Sequence, residues 1–106
     1  MTELHIKTLN CVKKQDTVGK DKAVLKIGGR TIGGPYLMAK GDELSVNITE
    51  PFTGSVQVTL MEEDAGADDN LGTVTVHDTL PNLDNQDGVF HSLSGADYHM
   101  VYHLHT

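Results

Sequence analysis

The sequence predicts an all-β fold, an eight-stranded antiparallel β-sandwich, on three observations. Short runs of alternating apolar and polar residues recur along its 106 residues, which is the period of half-buried strands. Gly, Asp, Asn and Pro separate these runs, as tight turns require. No segment carries the apolar stripe of an amphipathic helix. Eight short strands in a chain of this length suit two packed sheets better than a barrel, with residues 1–106 as a single domain. A domain of this size buries roughly two-thirds of the surface its unfolded chain exposes, enough for a modest core.

The elements follow in order. In the first strand Leu4 and Ile6 are in phase, whereas Leu9 and Cys11 are in the opposite phase. Either a bulge lies between the pairs or both faces are partly covered. Ala23, Leu25 and Ile27 start a second strand, which Gly28-Gly29 ends. A short third strand covers Arg30 to Ile32, and Gly33-Gly34-Pro35 is expected to break it before Tyr36-Leu37-Met38. After a turn at Lys40-Gly41-Asp42, Leu44, Val46 and Ile48 alternate with Glu43, Ser45 and Asn47. Val56, Val58 and Leu60 alternate with Ser55, Gln57 and Thr59, and Val74 and Val76 with Thr73, Thr75 and His77. Val89 and Phe90 seed a seventh strand. In the last, Tyr98, Met100, Tyr102 and Leu104 share one face and His99, Val101, His103 and His105 the other. Val46, Ile48, Val56, Val58, Val74, Val76, Met100 and Tyr102 are expected in the core.

Composition narrows the function classes. The net charge is −7, from 15 acidic and 8 basic side chains. That sign opposes unaided binding to phosphate backbones or anionic lipid. With few aromatic residues as well, nucleic acid is not an expected partner. Cys11 is the only cysteine, so an intramolecular disulfide is ruled out, and a buried apolar role is expected for it. The N-terminus shows no basic segment followed by a long apolar run, so no secretory signal is expected. No apolar stretch approaches the ~20 residues that span a bilayer. The compartment and oligomeric state stay open.

Two segments interrupt the alternation with carboxylates. One is Asp16-Thr17-Val18-Gly19-Lys20-Asp21, and the other runs from Glu62 to Gly72 and holds Glu62, Glu63, Asp64, Asp68 and Asp69. Glu62 and Asp64 are two apart, so an extended backbone aims both to one side. Gly66 lets the chain reverse, and Asp68-Asp69 return carboxylates toward the same point. Such convergence raises the pKa values of the acids unless a cation is present. Calcium accepts six to eight oxygens in flexible geometry. Taken singly, either loop reads as ordinary turn chemistry; together they favour an ion if the fold unites them. Lys20 and Lys22 are expected to be the only basic residues beside them.

With these loops the chain resembles the C2 domain family over essentially its whole length. The first calcium loop of that family commonly reads Asp-x-x-Gly-x-Ser-Asp, matched by Asp16, Gly19 and Asp21 with one residue fewer. The third commonly reads Asp-x-Asp and then an Asn-Asp or Asp-Asp pair before Ile-Gly or Leu-Gly, matched by Glu62-Glu63-Asp64 and Asp68-Asp69-Asn70-Leu71-Gly72. Gly95 followed by Tyr98, Met100 and Tyr102 is similar to the family's last strand. Glu62 stands where the family has Asp, Lys22-Ala23 stand where it has Pro-Tyr, and both loops are a residue short. The resemblance is thus to a short, divergent C2-like module of bacterial type. It implies an eight-stranded sandwich with calcium as its ion, held by Asp16, Asp21, Glu62, Asp64 and Asp69, with Asp68 beside them. It also implies a non-enzymatic binding module whose partners are phospholipid head groups or another protein. The loop tips, Thr17, Val18 and Lys20 in one and Ala65, Gly66 and Ala67 in the other, carry no large apolar wedge.

His99, His103 and His105 are spaced to co-ligate a transition metal, but no Cys or second His pair completes a set, and a solvated polar face is the expected reading. Asp84-Asn85-Gln86-Asp87-Gly88 reads as an acidic turn. No Gly-x-Ser-x-Gly elbow, phosphate-cradling Gly-Lys-Ser/Thr loop or His-Glu-x-x-His helix occurs, so no catalytic residue is assigned and the chain is not expected to be an enzyme.

Overall fold

The computed structural model describes residues 1–14, 19–63, 68–79, 82–92 and 95–106. Among these lie eight strands: β1 (Thr2–Lys13), β2 (Asp21–Ile27), β3 (Arg30–Met38), β4 (Glu43–Phe52), β5 (Ser55–Glu62), β6 (Asp69–His77), β7 (Leu83–His91) and β8 (Asp97–His105). They form two four-stranded sheets, ordered β4-β1-β8-β7 and β3-β2-β5-β6, and every pairing is antiparallel. The core lies between the sheets. Leu4, Ile6, Leu9, Tyr98, Met100 and Phe90 of one sheet meet Leu25, Val58, Leu60, Leu71 and Val76 of the other.

The phase change in β1 is resolved by a bulge. Against β8, Ile6 pairs with Tyr102 but Thr8 with Val101, so β1 holds one extra residue at this point. An odd insertion exchanges the faces of a strand, and Leu4, Ile6, Leu9 and Cys11 are all buried as a result. On the other side of β1, β4 carries its own irregularity, with Asn47 at φ 46°.

Of the expected core, Val56, Val58, Val76 and Met100 are buried, and Val46, Ile48, Val74 and Tyr102 pack against it half-buried. Val46 and Ile48 lie on β4 and Val74 on β6, both edge strands, where the space between the sheets opens to solvent.

Two expectations are corrected. Gly33-Gly34-Pro35 does not break the third strand, because β3 continues through it to Met38. The strand is an edge, where the missing N–H of proline costs no ladder bond, and its register against β2 shifts twice to absorb the extra residues. A Cβ on Gly34 would stand 2.5 Å from the Ala23 carbonyl oxygen, so only glycine allows that approach. Likewise, Asp84-Asn85-Gln86-Asp87-Gly88 is no turn but the first half of β7. Its turn-forming composition is taken up by a bulge between Leu83 and Gln86, with Asn85 at φ 51°, a conformation that Asn tolerates better than most residues.

The two open seams of the sandwich are closed differently. Across the β3/β4 seam, Arg30 makes a bidentate ion pair with Glu50 at 3.0 and 3.1 Å. At the β6/β7 seam the backbones nearly touch, and a Cβ on Gly72 would lie 2.6 Å from the His91 nitrogen. At one end, Gly54 N–H donates to Asp78 Oδ2 and Asp78 N–H to the Gly54 carbonyl, tying the chain after β4 to the chain after β6.

Candidate functional site

Because the strands alternate in direction, the β1–β2, β3–β4, β5–β6 and β7–β8 connections share one end of the sandwich. The described parts of the two acidic segments, Asp21 in one and Glu62, Glu63, Asp68 and Asp69 in the other, therefore lie at the same end. Glu62 lies between Ala23 of β2 and Asp69 of β6 in register. Asp21 is two residues before Ala23 on the same strand face. Asp21, Glu62 and Asp69 thus stand on three neighbouring strands at the rim. Glu63 N–H donates to the Lys22 carbonyl at 2.9 Å, extending the pairing beyond the strands.

Burial distinguishes these carboxylates. Asp21 is 0% and Glu62 1% exposed, whereas Asp68 and Asp69 are exposed. A buried carboxylate is costly unless polar or charged partners surround it. One partner of Asp21 comes from the opposite sheet: the Tyr98 hydroxyl donates to its Oδ2 at 2.6 Å. Burial, and then the bonds to Asp21 and Cys11, push the Tyr98 phenol far above its ordinary pKa. Burial likewise pushes the Cys11 thiol up, with Tyr98 acting in the opposite sense and the charges of Asp21 and Asp42 adding to the rise. Cys11 is buried, as expected from the sequence. Asp16 and Asp64, the other residues assigned to the ion, lie outside the described residues, as do Thr17, Val18, Ala65, Gly66 and Ala67 of the loop tips.

Lys20 and Lys22 have company. Lys14 donates through Nζ to the Gly19 carbonyl, so a third cation, which the sequence pattern did not single out, stands beside the first acidic loop. Asp42 belongs to a different structure at this end: its carboxylate accepts from Ala39 N–H at 2.8 Å and caps the β3–β4 turn. Asp21, Glu62, Asp68 and Asp69 offer only oxygen donors, which fit a hard divalent cation better than a soft one. Among the described residues, however, the three acids and histidines whose ligand atoms all come within 4.8 Å of one another are Asp84, His103 and His105.

Comparison with known structures bears on this arrangement. A solved C2 domain superimposes with a TM-score of 0.58 at 12% identity, covering 99% of this chain and 97% of that one. A structure of Extended-Synaptotagmin 2 that holds a pair of C2 domains gives a TM-score of 0.57 at 13% identity, covering 98% of this chain. The fold is that of a C2 domain. The C2-like chain spans 39% of the Extended-Synaptotagmin 2 chain. No family model and no curated protein matches the sequence. At such identities the likeness speaks for the fold alone, and the residues that hold an ion must be argued from their own chemistry.

The C2-like domain carries a second cluster that the sequence disclosed only in part. His5, His91, His99, His103 and His105 face outward from the β4-β1-β8-β7 sheet, since His5 pairs with His103 and His91 with Asp97. His99 sits between two carboxylates, with Nδ1 3.0 Å from Asp87 and Nε2 3.2 Å from Asp97. His103 Nδ1 lies 3.0 Å from Asp84 Oδ1, and the His5 and His105 rings stand 6.0 and 5.7 Å from the His103 ring. The alternation of β8 identified three of these histidines. His5 lies most of the chain away from them in sequence and Asp84 on a neighbouring strand, and only the strand pairing supplies them.

Proposed function

We propose that the domain is a non-enzymatic, calcium-dependent binding module. Its ion would be held at the rim by Asp21, Glu62 and Asp69, with Asp16, Asp64 and Asp68 from the adjoining loops. The observation that carries this reading is the pair of buried carboxylates, Asp21 and Glu62, on adjacent strands that lead into two acidic loops. Oxygen-only ligation and a high local density of negative charge suit calcium. The C2-type fold supports the same reading. Bound ion would cancel repulsion between the loops and present a positive centre to a phosphate or carboxylate of a partner. Among the described residues no helix is long and apolar enough to cross a membrane. Phospholipid head groups are one partner class for such a centre. A protein contact that calcium stiffens is the second reading, favoured by loop tips that offer no apolar wedge.

Thermal melts in chelator and in millimolar calcium test the proposal. A ligand that binds only the folded state stabilises it by about 2.7 kcal/mol at ~100 times its dissociation constant. The wild-type midpoint should rise in calcium. Asp64→Asn and Asp69→Asn should lose most of that rise, and Asp84→Asn, at the other end of the sandwich, should keep it. An unchanged wild-type midpoint with a flat calorimetric titration would remove calcium from the account. Liposome sedimentation with and without calcium then separates lipid from protein as the partner.

A further inference from the structure

The end of the sandwich opposite the acidic loops presents a different donor set. Asp84, His103 and His105 each offer one ligand atom, and the three atoms lie within 4.8 Å of one another. From this geometry we infer a binding site for a first-row transition-metal dication of the zinc class, held by two imidazoles and one carboxylate. It does not rest on the calcium reading and shares no residue with it. Two imidazoles and a carboxylate match the donors preferred by Zn²⁺, which accepts three protein ligands with water in the fourth position. Calcium, which prefers oxygen, would gain little from them.

The ligands sit on paired strands rather than loops. His103 and His105 are two apart on β8 and share its outer face. Asp84 reaches them because the bulge between Leu83 and Gln86 turns the start of β7, with Asn85 at φ 51°. Gln86 Nε2 donates to the Asp84 carbonyl at 3.0 Å and braces the bulge. The His5 ring, tilted 58° to that of His103, walls the site from β1.

The bonding at His103 points to a cation. The Asn85 N–H donates to His103 Nδ1 at 3.1 Å, which requires a lone pair there. Asp84 Oδ1, an acceptor as well, stands 3.0 Å from the same nitrogen. Two acceptor atoms at that distance attract only when positive charge joins them. A ring proton or a metal ion on Nδ1 would supply it, and either takes the lone pair that the Asn85 N–H uses; of the two, the metal ion also draws in His105 as the third ligand.

The test is calorimetric titration of the full chain, treated with chelator, with Zn²⁺ in buffer containing saturating calcium. One ion should bind per chain. His103→Gln, His105→Gln and Asp84→Asn should each weaken binding by at least about tenfold, no less than the loss of an outer-shell partner typically costs. His99→Gln, on the same face but held between Asp87 and Asp97, should bind as the wild type does. His105 is exposed, so its variant should fold whatever becomes of the others, and circular dichroism would verify this. Imidazole nitrogen shifts of His103 and His105, but not of His99, should move with zinc. Absence of stoichiometric binding would overturn the inference and leave only a histidine–carboxylate contact. Wild-type affinity in both His103→Gln and His105→Gln would overturn it too.

Discussion

Tyr98 and Asp21 meet across the core although 77 positions separate them in sequence. Alternation along β8 turns Tyr98 inward, and alternation along β2 places Asp21 on the face of Ala23 and Leu25. Neither period reveals that the hydroxyl will reach the carboxylate. Asp21 was legible as an ion-loop acid, whereas its burial and its bond to the opposite sheet were not. Hydrogen bonds to charged groups contribute about 1.5–3 kcal/mol, and a partner left buried without one carries a desolvation penalty of similar size. Tyr98→Phe should therefore destabilise the metal-free protein by about 2 kcal/mol, read as a lower urea midpoint at pH 7 with an unchanged slope. A midpoint within the error of the wild type would show that solvent or another group satisfies Asp21 once the phenol is gone.

At the scale of the strand, β1 is the element on which most depends, because it pairs with both β4 and β8 at the centre of its sheet. Its bulge keeps Leu4 and Ile6 inward on one side and Leu9 and Cys11 inward on the other. Deletion of Lys7 should remove the extra residue and turn one of those pairs to solvent. Fully burying a side chain such as Leu or Ile stabilises by ~1.5–3 kcal/mol, so exposing two costs several of the roughly 5–15 kcal/mol that hold a domain together. Loss of cooperative urea unfolding is the expected outcome for the deletion, while Lys7→Ser should stay within about 0.5 kcal/mol of the wild type. A deletion variant that unfolds like the wild type would mean that β1 does not need its bulge. This element also marks how far the sequence could be read. Its phase change was visible in Leu4, Ile6, Leu9 and Cys11, and a bulge was one of two ways to satisfy it. The same reasoning failed at Gly33-Gly34-Pro35 and at Asp84 to Gly88, where breaker residues sit inside edge strands. Local composition says turn in both places, and only a strand's position at the edge of a sheet explains why the ladder survives. The acidic rim was legible because its residues cluster in sequence. The histidine cluster was half legible, because β8 supplies His103 and His105, read there as a solvated face, while Asp84 comes from a neighbouring strand.

Considered whole, the molecule keeps its acidic rim and its imidazole cluster at opposite ends of one core, and the two should respond to different ions without competing. What joins them is the core between the sheets, into which the ionisable side chains Cys11 and Tyr98 are fully drawn, with Tyr36 and Tyr102 packed at its margin. Burial raises the pKa of all four, with the Asp87 charge adding at Tyr102. These groups are neutral when protonated. In the unfolded chain they release their protons near pH ~8.5 for Cys and ~10 for Tyr, whereas the folded chain holds them longer. The folded state then binds more protons than the unfolded state, and stability falls as pH rises. The contribution is fully present below the unfolded values and is lost progressively above them. The urea midpoint should consequently decline from about pH 9 upward, with a limiting slope of ~1.4 kcal/mol per pH unit for each group that stays protonated only when folded. Tyr98 lies deepest and has the largest rise, so it should dominate above pH ~10. Tyr98→Phe should start lower at pH 7 and fall less steeply above pH ~10, so that the two curves converge in alkali. Parallel curves for the two proteins, or a wild-type midpoint constant to pH ~11, would show that the buried phenol does not govern the alkaline limit of the fold.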